Sequence, residues 1–305
     1  MSVPNRVAFQ IGSVSVYWYG ILIALALLLG TMLGTVREKQ FSLKKDTSLN
    51  FVLLAVPLSV VCARLYYVVF SLSAYRSNLL EILNLREGGL AIYGGVIGGF
   101  LAAWIYARRS RVPLGSLCDL CAPCLALGQA IGRWGNFFNQ EAYGLATSSP
   151  SLRFFPLSVY ISALDEWHLA TFFYESAWCL LITVSLLLLE RKRAFSRQGD
   201  EFCWYAVLYA LERAVVEGLR TDSLMLGSIR ISQLLAWTCV LAAGICFGIR
   251  ARRAAFLPKA LLALAWAGGL AAILLHDLAL LLPLSIACCV LLILLYRANA
   301  FKPAL

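Results

Sequence analysis

The sequence predicts an all-α polytopic membrane protein with a seven-span transmembrane core, a small outward-facing cap and a C-terminal hairpin of two extra spans. Three observations predict it. Of the 305 residues, 61% are hydrophobic and 14% charged, with a mean hydropathy of +0.79, where soluble domains carry roughly 25% charged residues. Apolar runs of about 20 residues, the length needed to cross a bilayer, recur along most of the chain. Basic clusters follow every second run.

The runs fall at 14–36, 49–70, 89–107, 114–131, 171–189, 202–219 and 231–249. The first opens on Tyr17-Trp18-Tyr19, the aromatic signature of a membrane boundary. It is too long for the apolar stretch of a cleaved signal peptide and is expected to stay as a span. The third contains Gly94, Gly95, Gly98 and Gly99 and has two readings. The glycines are small-xxx-small pairs for close helix contact, or they let a lipid approach the main chain beside Tyr93. After the fourth run comes 132–170, the one sizeable stretch outside the spans. Its Tyr160, Trp167 and phenylalanines suit a cap or arm at headgroup level. The run 257–296 is too long for one crossing. Pro258 opens it and His276-Asp277 interrupts it, so it reads as a hairpin of two spans, with one long tilted helix as the alternative. Domain boundaries follow: a core over 1–255, with 132–170 as a periplasmic cap segment, and an extension over 256–305.

Net charge is +10, yet 17 of the 26 Lys and Arg fall in clusters at 37–45, 108–111, 191–197, 250–259 and 297–302. Such alternation is the positive-inside rule. It places the N-terminus outside and the C-terminus inside, and it accounts for the charge without a nucleic-acid partner. Seven of the ten cysteines lie in apolar spans, where thiols pack as small hydrophobes. Cys118, Cys121 and Cys124 share roughly one helix face but lack a fourth ligand, an incomplete metal set.

With that topology the remaining polar groups gather at the outward end. Arg76, Glu81, Arg86 and Glu87 lie between spans two and three. Gly132-Arg133-Trp134-Gly135-Asn136-Phe137-Phe138-Asn139-Gln140-Glu141, with Gly144, follows span four. Arg213, Glu217, Arg220 and Asp222 end span six, and Arg230, Ser232 and Gln233 open span seven. An arginine at the end of a span snorkels, pairs or binds an anion, and the abundant anion at that depth is a phospholipid phosphate. Arg213 and Glu217 are four apart, so a salt bridge within one helix competes with an anion clamp. Glu141 either serves the site or simply pairs with Arg133.

The run Gly132–Glu141 with Gly144 resembles the motif of the bacterial prolipoprotein diacylglyceryl transferase family. Supporting pieces follow in order: Trp18-Tyr19-Gly20, Glu87-Gly88-Gly89-Leu90-Ala91-Ile92-Tyr93-Gly94-Gly95, Asp119 with Ala122-Pro123, Tyr174-Glu175-Ser176, Arg213-x-x-x-Glu217-x-x-Arg220 and Ile231-Ser232-Gln233. The resemblance covers about 14–249. The chain departs from it at Tyr93, where many members have histidine, at Leu169-Ala170-Thr171, where His-Pro-Thr/Ser is usual, and in the tail beyond about 255.

The resemblance implies an enzyme of the bacterial inner membrane, acting at its outer, periplasmic face. It would move the diacylglyceryl group of phosphatidylglycerol to the lipobox cysteine of preprolipoproteins, the first step of lipoprotein maturation. It implies no metal, nucleotide or flavin. The catalytic candidates are Arg133, Arg213, Tyr93, Glu141 and Tyr19, and the substrate-binding candidates are Arg133, Asn136, Asn139, Gly144, Glu217 and Arg220. Arg133 and Arg213 would clamp phosphate, with Arg220 behind them; Asn136 and Asn139 would orient phosphate or glycerol hydroxyls. Rival readings are a polytopic transporter, which predicts internal repeats that the sequence lacks, an intramembrane protease, whose Gly-x-Ser-x-Gly and aspartate pair are missing, and an inactive scaffold homologue.

Overall fold

The computed structural model describes residues 5–75, 78–84, 88–250 and 256–300, and among them are nine α-helices. These are α1 (Trp18–Arg37), α2 (Thr47–Phe70), α3 (Ile92–Ser110), α4 (Leu114–Asn139), α5 (Thr171–Arg191), α6 (Asp200–Leu219), α7 (Ile231–Arg250), α8 (Phe256–Leu274) and α9 (Leu278–Ala300). Arg76, Arg86, Glu87, Arg252, Arg253 and Lys302, named in the sequence reading, lie outside the described residues. Successive helices alternate in direction. One end of the bundle carries the cap and the motif of α4; the other carries the basic clusters.

Seven helices are long and apolar enough to cross a membrane: α1, α2, α4, α5, α7, α8 and α9. The other two, α3 and α6, are 19 and 20 residues long, about 30 Å at 1.5 Å per residue. Their composition sets them apart. Gly94 and Gly98 of α3 lie so close to α2 that an added Cβ would come within 2.7 Å of the Ala63 and Ser59 Cα atoms, which supports the packing reading for that pair. Gly95 and Gly99 have ordinary room. Helix α6 carries Asp200, Glu201, Glu212, Arg213 and Glu217, of which the four acids are buried and Arg213 partly buried. It packs against α4, α5, α7 and α9, so its charges face protein.

Two element boundaries depart from expectation. Residues 14–17 are not helical: Val14–Tyr17 (β2) pairs antiparallel with Val7–Ile11 (β1), and the turn between them holds Gly12 at φ +59°. The Val-Ser-Val-Tyr alternation has the strand period of two, and hydropathy alone had merged it with α1. Helix α4 runs 26 residues to Asn139, so Arg133, Asn136 and Asn139 stand on a rigid helix and the cap proper starts after it. The cap contains a hairpin of Ser158–Ile161 (β3) and Glu166–Leu169 (β4). Val159 and Ile161 of this hairpin, with Ala170 and Phe172 at the start of α5, pack on Trp134 and Phe137 of α4. A third small hairpin, Met225–Leu226 (β5) and Ile229–Arg230 (β6), links α6 to α7.

Two buried arginines organise the connections. Arg37, 2% exposed, ends α1 and pairs with Glu190 of α5 at 3.0 Å and Glu201 of α6 at 2.8 Å. It also donates to the Leu120 carbonyl of α4 at 2.6 Å. Asp119 beside it accepts the Gly199 and Phe202 amides at 2.6 and 2.9 Å, satisfying orphan donors at the start of α6. Arg64 of α2 donates to the carbonyls of Glu81, Ile82, Asn84, Gly88 and Gly89 and gathers the α2–α3 connection around one guanidinium.

Residues 256–300 form the expected hairpin. The chain reverses at His276, φ +56°, and Asp277 accepts the Leu280 amide at 3.0 Å to start α9. Reciprocal hydrogen bonds join α7 to α8: the Trp237 indole donates to the Trp266 carbonyl at 2.8 Å, and the Trp266 indole to the Trp237 carbonyl at 2.9 Å. Gly269 leaves room for the Trp237 ring. At the basic end the Tyr296 hydroxyl lies 3.0 Å from Asp200 Oδ2 and accepts the Ser196 amide at 2.9 Å. Alanine at Arg37 would leave Glu190 and Glu201 without their common cation, a loss of about 3–5 kcal/mol for a broken buried pair. The detergent-solubilised Arg37→Ala protein is therefore expected to melt well below the wild type, and equal midpoints would show that the clamp is dispensable.

Candidate functional site

The polar end of the bundle is built around one carboxylate. Glu175, four residues into α5, is completely buried. Arg213 of α6 places Nη1 at 3.1 Å from both of its oxygens. Arg220, at the end of α6, places Nη1 at 3.1 Å from Oε1, and Arg133 of α4 pairs with Oε2 through Nη2. Two helices, α4 and α6 with its C-terminal end, thus deliver three guanidinium groups to one acceptor on α5. Arg213 also pairs with Glu217 one turn on, so the intrahelical salt bridge and the convergent cluster exist together. Arg133 Nη2 lies 3.5 Å from the Tyr209 hydroxyl.

Arg220 closes the cluster toward the loop. Its Nε and Nη2 hold the Asp222 carboxylate at 2.9 and 2.8 Å, a bidentate fork. Partial burial alone would raise the Asp222 carboxyl; the Arg220 guanidinium outweighs it and holds the group below its usual range. Gly144 pairs backbone to backbone with Arg220, and Leu145 donates to the Leu219 carbonyl at 2.9 Å. A Cβ on Gly144 would come within 2.9 Å of the Leu169 Cβ and the Thr171 methyl, so only glycine lets the cap loop dock there. His168 is buried, its Nδ1 2.8 Å from the Gly144 carbonyl and its ring 4.7 Å from Tyr143. It straps the cap together.

A second polar group stands at the mouth of α4. Glu141 Oε1 accepts the Asn136 carboxamide at 3.0 Å and the Asn139 carboxamide at 3.1 Å. Its partners are thus the two asparagines, not Arg133. The chain turns sharply to make this contact, with Gln140 at φ +53° and Ala142 at φ +56°. Tyr19 of α1 packs on Gly135, where a Cβ would lie 3.1 Å from the ring Cγ. Tyr93 stands apart: its hydroxyl meets Ser232 Oγ of α7 at 3.2 Å.

Of the residues singled out from sequence, Arg133, Arg213, Arg220 and Glu217 form one cluster, and Asn136, Asn139 and Glu141 another. Glu175 was not among the site candidates, although a carboxylate inside an apolar span is itself a signal. Cys118, Cys121 and Cys124 are free thiols, and Cys124 donates to its own helix at the Leu120 carbonyl, 3.3 Å away. Glu175→Ala would leave three guanidiniums converging on an empty centre, at a cost of about 3–5 kcal/mol. It should lower the melting midpoint more than Arg133→Ala, which still leaves two cations on the carboxylate; the reverse order would deny Glu175 its central place.

Residues 6–249 match the family described as prolipoprotein diacylglyceryl transferase. A phosphatidylglycerol–prolipoprotein diacylglyceryl transferase of Bacillus cytotoxicus is 44% identical over 243 residues, 77% of this chain and 88% of that protein. The proteins of the same name from Bacillus cereus and Bacillus anthracis are 43% identical over the same shares. The matched span contains every residue of both polar clusters and stops before α8. The arginine-bearing end of a bundle of apolar helices and this likeness over four-fifths of its length agree, and the chain belongs to the prolipoprotein diacylglyceryl transferase family.

Proposed function

We propose that this chain transfers the diacylglyceryl group of phosphatidylglycerol to the cysteine thiol of a preprolipoprotein lipobox, forming a thioether and releasing glycerol phosphate. The observation that carries this reading is the convergence of Arg133, Arg213 and Arg220 on the single buried carboxylate of Glu175. Three guanidiniums on one acceptor have N–H donors to spare, and a phosphodiester is an anion of matching geometry. The thiolate attacks the glycerol carbon that carries the phosphate, and the C–O electron pair leaves on the phosphate oxygen. Negative charge grows there as the bond breaks. Preorganised guanidiniums in a dry site stabilise such charge at no cost in reorganisation.

In this reading Arg133 and Arg213 grip the phosphate, and Arg220 supports them while Glu175 and Glu217 fix their orientation. Asn136, Asn139 and Glu141 form a hydrogen-bonding rim for the glycerol hydroxyls of the headgroup. Gly144 lets the cap loop seat against Arg220. Tyr19 lines the space beside Gly135, and Tyr93 with Ser232 marks the α3–α7 side of the chamber. Both substrates arrive from the bilayer, the lipid by its chains and the lipobox peptide by its apolar signal segment. In this reading the far end, which bears the basic clusters, lies in the cytoplasm, in keeping with the positive-inside rule. The cap, the N-terminal hairpin and both polar clusters then lie at the periplasmic face, with the C-terminus inside. Residues 1–255 act as the transferase core and 256–305 as an extension to it.

Purified protein given phosphatidylglycerol and a lipobox peptide should yield the thioether adduct, detectable by mass. Arg133→Ala should cut turnover by about 100-fold or more, the usual loss for one donor of a preorganised anion site. A wild type that forms no adduct would defeat the reading; full activity in Arg133→Ala would defeat the phosphate grip alone.

A further inference from the structure

One buried acid beside the arginine cluster has no part in the contacts described above. Glu212 of α6 is 9% exposed, and neither of its carboxyl oxygens has a hydrogen-bond partner. Such a group is costly unless something else uses it. Its surroundings are the arginine cluster. The charged and titratable groups acting on it are Arg133 from α4, Glu175 and Cys179 from α5, and Tyr209, Arg213 and Arg220 from α6 and its end. Tyr209 is one helical turn before Glu212 and so shares its face, and its hydroxyl is the one beside Arg133.

Depth agrees with this. Arg133 is six residues from the end of α4, and Glu212 is seven from the end of α6, both about 9–10 Å below the helix ends at 1.5 Å per residue. Its position along α6 thus matches that of Arg133, the residue proposed to hold the phosphate, along α4. The other acids of the cluster are engaged. Glu175 takes three arginines, Glu217 takes Arg213 and Asp222 takes Arg220. Glu141 is held by two carboxamides, and Tyr93 is turned to Ser232.

We propose that Glu212 is the proton-exchange group of the transferase reaction, carrying the proton of the attacking thiol to the departing phosphate. The proposal rests on the transferase reading given above. The transfer balances as follows. Glu212 starts as the neutral acid: the sulfur gives its proton to the unprotonated carboxyl oxygen and forms the S–C bond. The C–O bond breaks toward phosphate, and the other carboxyl oxygen gives a proton to the phosphate oxygen. Glu212 ends in the state in which it began, and the thiol proton leaves on glycerol phosphate. Two unengaged oxygens are what such an exchange needs.

The test compares wild type, Glu212→Gln and Glu212→Asp in thioether formation from phosphatidylglycerol and lipobox peptide between pH 6 and 8, with melting midpoints alongside. Glutamine keeps the shape and removes the exchange, so kcat should fall about 100-fold, within the range of general acid–base contributions, with KM for the lipid changed less than twofold. The remaining rate should climb with pH as the thiol ionises unaided, its ordinary pKa being about 8.5, and more steeply than in the wild type. Aspartate should restore part of kcat. A Gln variant with wild-type kcat and pH profile would overturn the relay, as would a loss confined to KM, or a folded Asp variant no better than Gln. A wild type that forms no thioether would instead overturn the transferase reading itself.

Discussion

The structure depends on the ion cluster at Glu175. A completely buried carboxylate is tolerable in a low-dielectric bundle only when cations and hydrogen bonds surround it, and here three arginines do so from α4, α6 and the start of the following loop. The same contact fixes how α4, α5 and α6 meet and gathers three guanidiniums at one place. The three guanidiniums shield Glu175, and in the proposed reading the N–H groups of Arg133 and Arg213 that Glu175 leaves free meet the phosphate. In that reading, structural and chemical roles fall on the same side chains.

The opposite end uses a related device, with one arginine on two carboxylates. Arg37 joins α1 to α5 and α6 through Glu190 and Glu201 and to α4 through a backbone carbonyl, and it is fully engaged there. In a bilayer, apolar surface gives helices little reason to prefer one another over lipid, so close packing of small residues and interhelical polar contacts set the arrangement. The Gly94/Gly98 contact of α3 with α2 supplies the first of these, and the two charged clusters supply the second. The C-terminal hairpin joins by the same means. Reciprocal Trp237–Trp266 hydrogen bonds and the Tyr296 contacts lock α8 and α9 to the core, although they lie beyond the part matched by the family.

Hydropathy and charge order made the spans legible, including the hairpin reversal at His276-Asp277, because burying a backbone in lipid allows helices alone. The Gly132–Glu141 run pointed to the site for a related reason: an arginine and two carboxamides beside an apolar span are too costly there without a partner. Local cues fell short where two kinds of structure share one hydropathy. Val14–Tyr17 is as apolar as the helix it precedes, so only its period of two marked the strand. Arg133 to Asn139 is polar enough to read as loop, yet α4 continues through it, with Trp134 and Phe137 packed against the cap's apolar cluster.

By itself the sequence determined the number and order of the membrane helices, the end at which polar groups gather, and the arginines that dominate that end. Tertiary structure alone decided the pairings. It made Glu175 the shared acceptor, gave Glu141 to the asparagines, turned Tyr93 toward Ser232 and left Glu212 without a partner. Hydropathy is a property of each segment against its solvent and can be read one residue at a time. An ion pair between α4 and α5 depends on which faces meet at which depth, and that is set only once all the helices are packed together.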